Sequence, residues 1–196
     1  MPKRSENGVG ASLTRLVLIE VIALVAISIF SGAANGTVSG AVDGVHAQGQ
    51  PQFPSTAQKE KAVTTHAAGG FEVKLTEQGE AEKGDASTLG KYSLDKQYHG
   101  DLEGAATGTM LTAGTEVKGS AGYVAMERVT GMLKGRSGSF VLQHSATMTR
   151  GEPQLSITVV PDSGSGQLVG LTGRMNIIIA AGKHSYDFEY SLPAAQ

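Results

Sequence analysis

The chain has 196 residues and a formal net charge of -2, which excludes the strongly basic surface that a phosphate backbone requires. It contains no cysteine, so disulfides, thiolate metal sites and a cysteine nucleophile are excluded as well. Its 27 glycines are scattered between short alternating segments, a pattern that indicates many turns and neither collagen nor a disordered linker.

Residues 1–34 have the composition of a signal peptide or a membrane anchor. Lys3, Arg4 and Arg15 precede an apolar stretch at 16–30, and small residues follow it, which is the order found in secretory signals. As a helix, the stretch would rise only about 22 Å, against a hydrocarbon core of roughly 30 Å. We therefore expect an exported protein, periplasmic or extracellular, or a membrane-anchored one if this segment is not cleaved.

Residues 35–69 are small, polar and proline-bearing, without a sustained period of 2 or 3.6. Such a composition is typical of a flexible spacer. His46 and His66 lie in this segment, and we expect both to be solvated. The spacer would leave residues 70–193 for the folded domain.

From residue 70 onward the chain alternates in short stretches and shows no amphipathic helix. The candidate strands are "FEVKLT", "LGKYSLDKQYHG", "GAATGTMLTAG", "GSAGYVAMERVTGML", "GSFVLQHSATMT", "QLSITVVP", "GQLVGLTGRMNIII" and "HSYDFEYSL". Their connectors are short and rich in turn-forming residues, which favours an up-and-down order. Closure would remove exposed strand edges. The predicted fold is all-β: an antiparallel eight-stranded up-and-down β-barrel, preceded by the N-terminal apolar signal or anchor helix.

The two-residue period of a strand separates inward from outward side chains. The last strand has an aromatic inner face, and the strand before Gly100 places Lys96 and Tyr98 inward and His99 outward. The strand that contains Glu127 and Arg128 is ambiguous, because one of these two charges must face the buried side.

The segments "SLDKQYHGDLEGAATGTML", "GSAGYVAMERVTGMLKGRSGSFVLQHSATMTRG" and "LSITVVPDSGSGQLVGLTGRMNI" resemble a bacterial family known as domain of unknown function 3224. The resemblance covers roughly residues 71–193. It implies a small β-barrel related in fold to the allene oxide cyclase and avidin-like barrels. It implies no activity, since a fold does not determine a function.

Sequence motifs for catalysis, metals and cofactors are missing. There is no HExxH, GxSxG or GxGxxG motif, and His99, His144 and His184 fall on three different predicted strands. We therefore expect no metal, no cofactor and no nucleic-acid partner.

The barrel lumen is the remaining candidate site. The residues expected to contact a ligand there are Lys96, Tyr98, Tyr123, Glu127, Phe140, His144, Tyr186, Phe188 and Tyr190. Two other interpretations stay open: the aromatic residues form an ordinary packed core, and Glu127 belongs to a satisfied network with Lys96 or Arg128.

Three functions are compatible with these residues. The leading hypothesis is non-enzymatic binding of a small hydrophobic or amphipathic ligand in the lumen. The second is an isomerase or cyclase that uses Glu127 and His144 as an acid and base pair, although no catalytic residue is assigned. The third is a structural or assembly module, in which Val124, Met126 and Val141 form an interface between copies of the chain.

Overall fold

The computed structural model describes residues 64–193 of the chain. These residues form the strands β1 (Thr64–Glu77), β2 (Glu82–Lys83), β3 (Ser87–Gly100), β4 (Leu102–Thr115), β5 (Ala121–Leu133), β6 (Arg136–Thr149), β7 (Glu152–Val159), β8 (Thr172–Ala180) and β9 (Lys183–Ser191), and the 3-10 turn Gly166–Leu168. Within this part of the chain, no helix is long and apolar enough to cross a membrane. The predicted signal or anchor helix lies outside the described residues.

Eight of the strands close into one antiparallel barrel. Each strand from β3 to β8 pairs with the next one along the chain, and β1 pairs with both β9 and β3. The short β2 pairs with β3 beyond the end of β1. The predicted all-β, eight-stranded up-and-down barrel is therefore confirmed.

The first strand is longer than its alternation indicated. β1 begins at Thr64, so residues 64–69, which their composition assigned to the spacer, form part of the barrel. His66 is exposed on this strand, and its Nδ1 lies 3.2 Å from Oδ1 of Asp187 on β9. The start of β1 is difficult to recognise in the sequence because its residues are small. Its buried position is occupied by Ala67, whose methyl group gives only a weak apolar signal.

The structure decides which charge of β5 faces the lumen. Glu127 is completely buried, whereas Arg128 is exposed. On β3, Lys96 and Tyr98 are buried and His99 is exposed, as the two-residue period predicted. The barrel therefore carries an ionisable cluster inside it.

One end of the barrel is closed by the connector between β7 and β8. Leu168 and Leu171 of this connector belong to the same buried cluster as three stacked aromatic residues. The ring centroids of Phe140 and Phe188 are 5.8 Å apart, and those of Phe188 and Tyr190 are 5.3 Å apart. We call this the closed end and the opposite one the open end.

The seam between β7 and β8 is the shortest pairing of the barrel. Within residues 64–193, the two strands pair at Thr158 and Arg174, whereas β6 pairs with β7 from Leu142–Val159 to Thr149–Glu152. The two strands are therefore held together least firmly toward the open end.

Small residues let the strands of the closed end bend sharply. Gly104, Gly131 and Gly138 face each other in one row across β4, β5 and β6. A Cβ atom on Gly131 would collide with the carbonyl oxygen of Glu103. Glycines at such positions allow the coiling that barrel closure requires.

The outer surface has an apolar stripe on β4 and β5. Val124 and Met126 are 51% and 53% exposed, and Leu111, the neighbour of Val124 across the strands, is 52% exposed. Val141 is half-buried, and its N–H donates to Oγ of Ser163 in the β7–β8 connector. The three residues predicted to form an interface therefore differ in how accessible they are.

Candidate ligand-binding site

A cavity of about 40 Å³ occupies the open end of the lumen. Its apolar walls include Phe71, Val73, Leu94, Met110, Leu155 and Ile177, and its polar lining consists of Lys96, Tyr123, His144 and His184. A single water needs at least about 10–15 Å³, whereas pockets for drug-sized ligands start near 300 Å³. The cavity therefore suits a small molecule or the end of a longer one.

Glu127 is the centre of the polar groups beneath this cavity. Lys96 Nζ donates a hydrogen bond to Oε2 of Glu127 at 2.6 Å, and the Tyr98 hydroxyl donates to Oε1 at 2.7 Å. Lys96 Nζ also donates to the Tyr98 hydroxyl at 3.3 Å. A buried carboxylate needs such partners, because removing an unpaired charge from water costs roughly several kcal/mol of folding free energy.

The partners of Glu127 reach it across the intervening strand. Lys96 and Tyr98 lie on β3, two residues apart and on one face, while Glu127 lies on β5. The inward positions of β4 between them are Ala106 and Gly108. These small residues leave space for the long side chains, so the composition of β4 permits the charge pair.

Aromatic rings surround the ammonium group of Lys96. Its Nζ lies 5.0 Å from the ring centroid of Phe71 and 5.5 Å from that of Tyr98. Cation–π attraction is strongest where the cation is removed from water. The rings therefore add to the stabilisation that Glu127 provides.

The environment keeps Glu127 ionised and Tyr98 neutral. Burial alone raises the pKa of Glu127, but the charge of Lys96 and the contacts with His144 lower this pKa to about 2. Burial and the neighbouring Glu127 carboxylate raise the pKa of Tyr98 well above its ordinary value. The group therefore holds one negative charge that faces one ammonium ion.

His144 is close to Glu127 without forming a hydrogen bond to it. Its Nε2 lies 3.0 Å from Oε2 of Glu127, but this buried nitrogen has no hydrogen-bond partner among residues 64–193, because the short distance does not come with hydrogen-bond geometry. Burial, with a further contribution from Lys96, lowers the pKa of His144 despite the opposing effect of Glu127. The cavity wall therefore contains a neutral imidazole with unused hydrogen-bonding capacity.

The residues predicted to contact a ligand divide into three groups. Lys96, Tyr123 and His144 line the cavity, and Tyr98 and Glu127 form the network beneath it. The remaining aromatic residues are not among the cavity-lining residues. Phe140, Phe188 and Tyr190 pack at the closed end. The Tyr186 hydroxyl accepts from the Leu102 N–H at 2.8 Å and donates to the His99 carbonyl at 3.2 Å. Of the two networks considered for Glu127, the structure contains the one with Lys96.

Most of the apolar lining was missed by sequence reasoning. Phe71 and His184 pack in a tilted arrangement at the cavity, with ring centroids 5.2 Å apart, and Leu94 and Met110 line the same space. The inward parity of these residues was visible in the sequence. Their height along the barrel axis was not, because it depends on the register between strands.

A second group of titratable side chains lies outside the barrel. His99 has Nε2 3.0 Å from Oε2 of Glu72 and Nδ1 3.0 Å from Oε1 of Glu103. No group of three or more His, Asp or Glu side chains in the described part of the chain is arranged to hold a metal ion. His99 therefore connects β1, β3 and β4 at the surface.

Comparison with known proteins identifies the family. The model of the family described as protein of unknown function (DUF3224) matches residues 67–190. A crystal structure of a protein with unknown function from the DUF3224 family of Shewanella oneidensis MR-1 is 48% identical, with a TM-score of 0.65, over 68% of this chain and 100% of that chain. No curated protein matches the chain. This chain therefore belongs to the DUF3224 family.

Proposed function

We propose that the barrel binds a small apolar or amphipathic molecule in the cavity at its open end and releases it unchanged. The observation that carries this proposal is the combination of apolar walls with a buried His144 nitrogen that has no hydrogen-bond partner among the described residues. A core that served packing alone would fill such a space, because protein interiors contain few voids larger than a water molecule. A few polar groups in an apolar cavity are typical of ligand sites.

The polar groups at the base of the cavity are held by contacts within the protein. Lys96 is held by Glu127, by the Tyr98 hydroxyl and by two aromatic rings. Groups that are already ordered lose little conformational entropy on binding. A preorganised polar base therefore supports recognition of a small molecule that offers few contacts.

Cavity filling tests the proposal in the full chain. Ile177 lines the cavity, whereas its neighbour Ile178 is 47% exposed on the outer face. Benzene, which fills apolar cavities of about 150 Å³, is larger than the enclosed space of about 40 Å³ and therefore probes the apolar walls from the open side of the cavity. We expect benzene to shift the methyl NMR signals of Leu155 and Met110 in the wild type and in Ile178→Phe, but not in Ile177→Phe.

Native mass spectrometry of the same proteins, purified under mild conditions, tests for a natural ligand. We expect an added mass in the wild type and Ile178→Phe that is lost in Ile177→Phe. A wild-type protein with neither an added mass nor benzene-induced methyl shifts would overturn the proposal.

An isomerase or cyclase reaction is the second candidate function. Glu127 and His144 approach to 3.0 Å on the lumen side of β5 and β6, with His144 in the cavity wall and Glu127 behind it. A neutral imidazole can accept a proton, and a neighbouring carboxylate stabilises the imidazolium that forms. If the wild type converts its co-purified molecule while His144→Gln returns it unchanged, the enzyme hypothesis is correct and the proposal of binding without reaction is wrong.

The chain is also proposed to be exported. Support comes from the basic residues Lys3, Arg4 and Arg15 before the apolar stretch 16–30. N-terminal sequencing of the protein from fractionated cells tests this. A chain that begins at Met1 and is found in the cytosol would contradict export.

A further inference from the structure

We propose that the ligand presents one uncharged hydroxyl group to His144, and that the cavity discriminates against carboxylates and amines of the same size. This inference rests on the proposed function and specifies the chemical class of its ligand: a small neutral alcohol or phenol with an apolar remainder.

The first step concerns charge. Lys96 and Glu127 have side chains that are only 4% and 0% exposed, and they compensate each other at 2.6 Å. A ligand carboxylate would compete with Glu127 for the same ammonium group and leave one negative charge unpaired. Burying an unpaired charge is strongly unfavourable.

The same balance disfavours a cationic ligand. The oxygens of Glu127 already accept hydrogen bonds from Lys96 and Tyr98. Glu127 lies beneath the cavity and is absent from its lining. A ligand ammonium group would therefore sit beside Lys96 without direct access to a carboxylate.

The second step concerns hydrogen bonding. His144 is 3% exposed and its ring lines the cavity. Its Nε2 lies 3.0 Å from Oε2 of Glu127 but has no hydrogen-bond partner among the described residues. A neutral imidazole has one nitrogen that donates and one that accepts, and the tautomer decides which is which. A hydroxyl group both donates and accepts, so it can pair with the ring in either tautomer.

Tyr123 supplies a second polar group on the same wall. It lies on β5 one inward position from Ala125, which faces His144 across the strands. Burial and the charge of Glu127 raise the pKa of Tyr123 to about 12, so its hydroxyl stays neutral. The cavity therefore offers neutral donors and acceptors at one side and apolar walls, including Leu155 and Ile177, at the other.

Four six-carbon compounds separate the head groups: 1-hexanol, hexanoate, hexylamine and hexane. Each is titrated into the full chain at pH 8, where the acid and the amine are charged, and binding is followed by the methyl NMR signals of Leu155 and Met110. We expect 1-hexanol to bind at least tenfold more tightly than the other three compounds.

Variants of His144 test its role. His144→Leu is expected to lose the preference for 1-hexanol over hexane, whereas His144→Gln retains it because the amide still donates and accepts. His66→Gln, at a histidine whose side chain is 62% exposed on the outer surface, serves as the matched control and is expected to behave like the wild type. If His144→Leu does not fold, the ring NMR signals of wild-type His144 replace it: they should shift with 1-hexanol and not with hexane.

The outcomes distinguish this inference from the proposed function. Tightest binding of hexanoate or hexylamine overturns the neutral head group, and equal binding of 1-hexanol and hexane overturns the hydroxyl contact, while both leave lumenal binding intact. If none of the four compounds, nor benzene, shifts the cavity methyl groups, the proposed function fails together with this inference.

Discussion

Glu127 connects the polar side chains of the lumen, and its removal would leave the buried charge of Lys96 without a partner. It accepts hydrogen bonds from Lys96 and Tyr98 and lies 3.0 Å from His144. Removing one partner of a buried ion pair leaves an uncompensated charge, whereas replacing both with apolar residues is often tolerated. The two kinds of substitution therefore have different expected costs.

Glu127→Gln is expected to lower the free energy of unfolding by about 3–5 kcal/mol, because Lys96 loses its counter-charge. The double variant Lys96→Met, Glu127→Leu should lose less than this single substitution. Urea unfolding measures both, with the exposed Glu116→Gln as a control expected to stay within about 0.5 kcal/mol of the wild type. A single variant as stable as the control would show that the pair contributes little.

The pKa values of His99 and His144 are shifted in opposite directions from the ordinary value of 6.5. The hydrogen bond to Glu103, together with the charge of Glu72, raises the pKa of His99. The contribution of His99 to stability is therefore present below pH 6.5 and is lost as the pH rises through the pKa of the folded state. Burial lowers the pKa of His144, so the unfolded chain binds the proton more readily there. Its contribution is complete above pH 6.5 and declines as the pH falls.

Ring NMR titration of the full chain measures both values. Urea unfolding at pH 8 and pH 5.5 should show a smaller decrease of stability in His144→Gln than in the wild type. A His144 that titrates at or above 6.5 would contradict its burial as a neutral ring.

At the level of elements, the β7–β8 connector has two roles. It closes one end of the barrel with Leu168 and Leu171, and it separates two strands that pair only briefly. Ser165 fixes it to β6, since its Oγ accepts from the Ser139 N–H at 3.0 Å and its own N–H donates to the Ser139 carbonyl at 2.8 Å. The connector is therefore held to β6 by hydrogen bonds at the closed end, whereas β7 and β8 are held together weakly toward the open end.

Leu168→Ala is expected to destabilise the protein by about 2–5 kcal/mol, because it removes a buried side chain and leaves a cavity. Its neighbour Val169 is 64% exposed, and Val169→Ala should change stability by no more than about 0.5 kcal/mol. Thermal and urea unfolding compare the two. Equal effects would mean that the 3-10 turn does not plug the barrel.

Hydrogen exchange should locate the weak seam. Amides of β7 and β8 that face each other toward the open end lack the continuous ladder of β4 and β5, so we expect them to exchange faster than amides near Met110 and Ala125. Local opening of this kind needs less free energy than global unfolding. Uniform protection around the barrel would contradict the short pairing.

At the level of the whole molecule, closure depends on sharp coiling as much as on strand number. The row formed by Gly104, Gly131 and Gly138 crosses three strands, and side chains at these positions would collide with neighbouring carbonyl groups. Gly114 offers a comparison, since a Cβ there meets nothing within 4 Å. The same substitution should therefore have opposite effects at the two places.

Gly131→Ala is expected to cost about 1–3 kcal/mol, since the backbone must shift to admit the methyl group. Gly114→Ala should be neutral or more stable by up to about 1 kcal/mol, because it restricts the unfolded chain. Urea unfolding of the two variants measures the difference. A Gly131→Ala protein as stable as Gly114→Ala would show that close strand approach at this row is unnecessary.

The amino-acid sequence was sufficient to predict the class of fold, the eight strands and the inward face of most of them, because alternation and turn residues are local properties of the chain. It placed Lys96, Tyr98 and His144 inside for this reason, and it left Glu127 and Arg128 undecided because both lie in one strand on opposite faces. The folded chain was needed to show that Glu127 turns inward and meets Lys96 across the small residues of β4. It also decided that Phe140, Phe188 and Tyr190 pack beneath a plug while the cavity opens beside His144. The position of a side chain along the barrel axis depends on the register between strands and on a distant connector, and the sequence of a single strand contains neither.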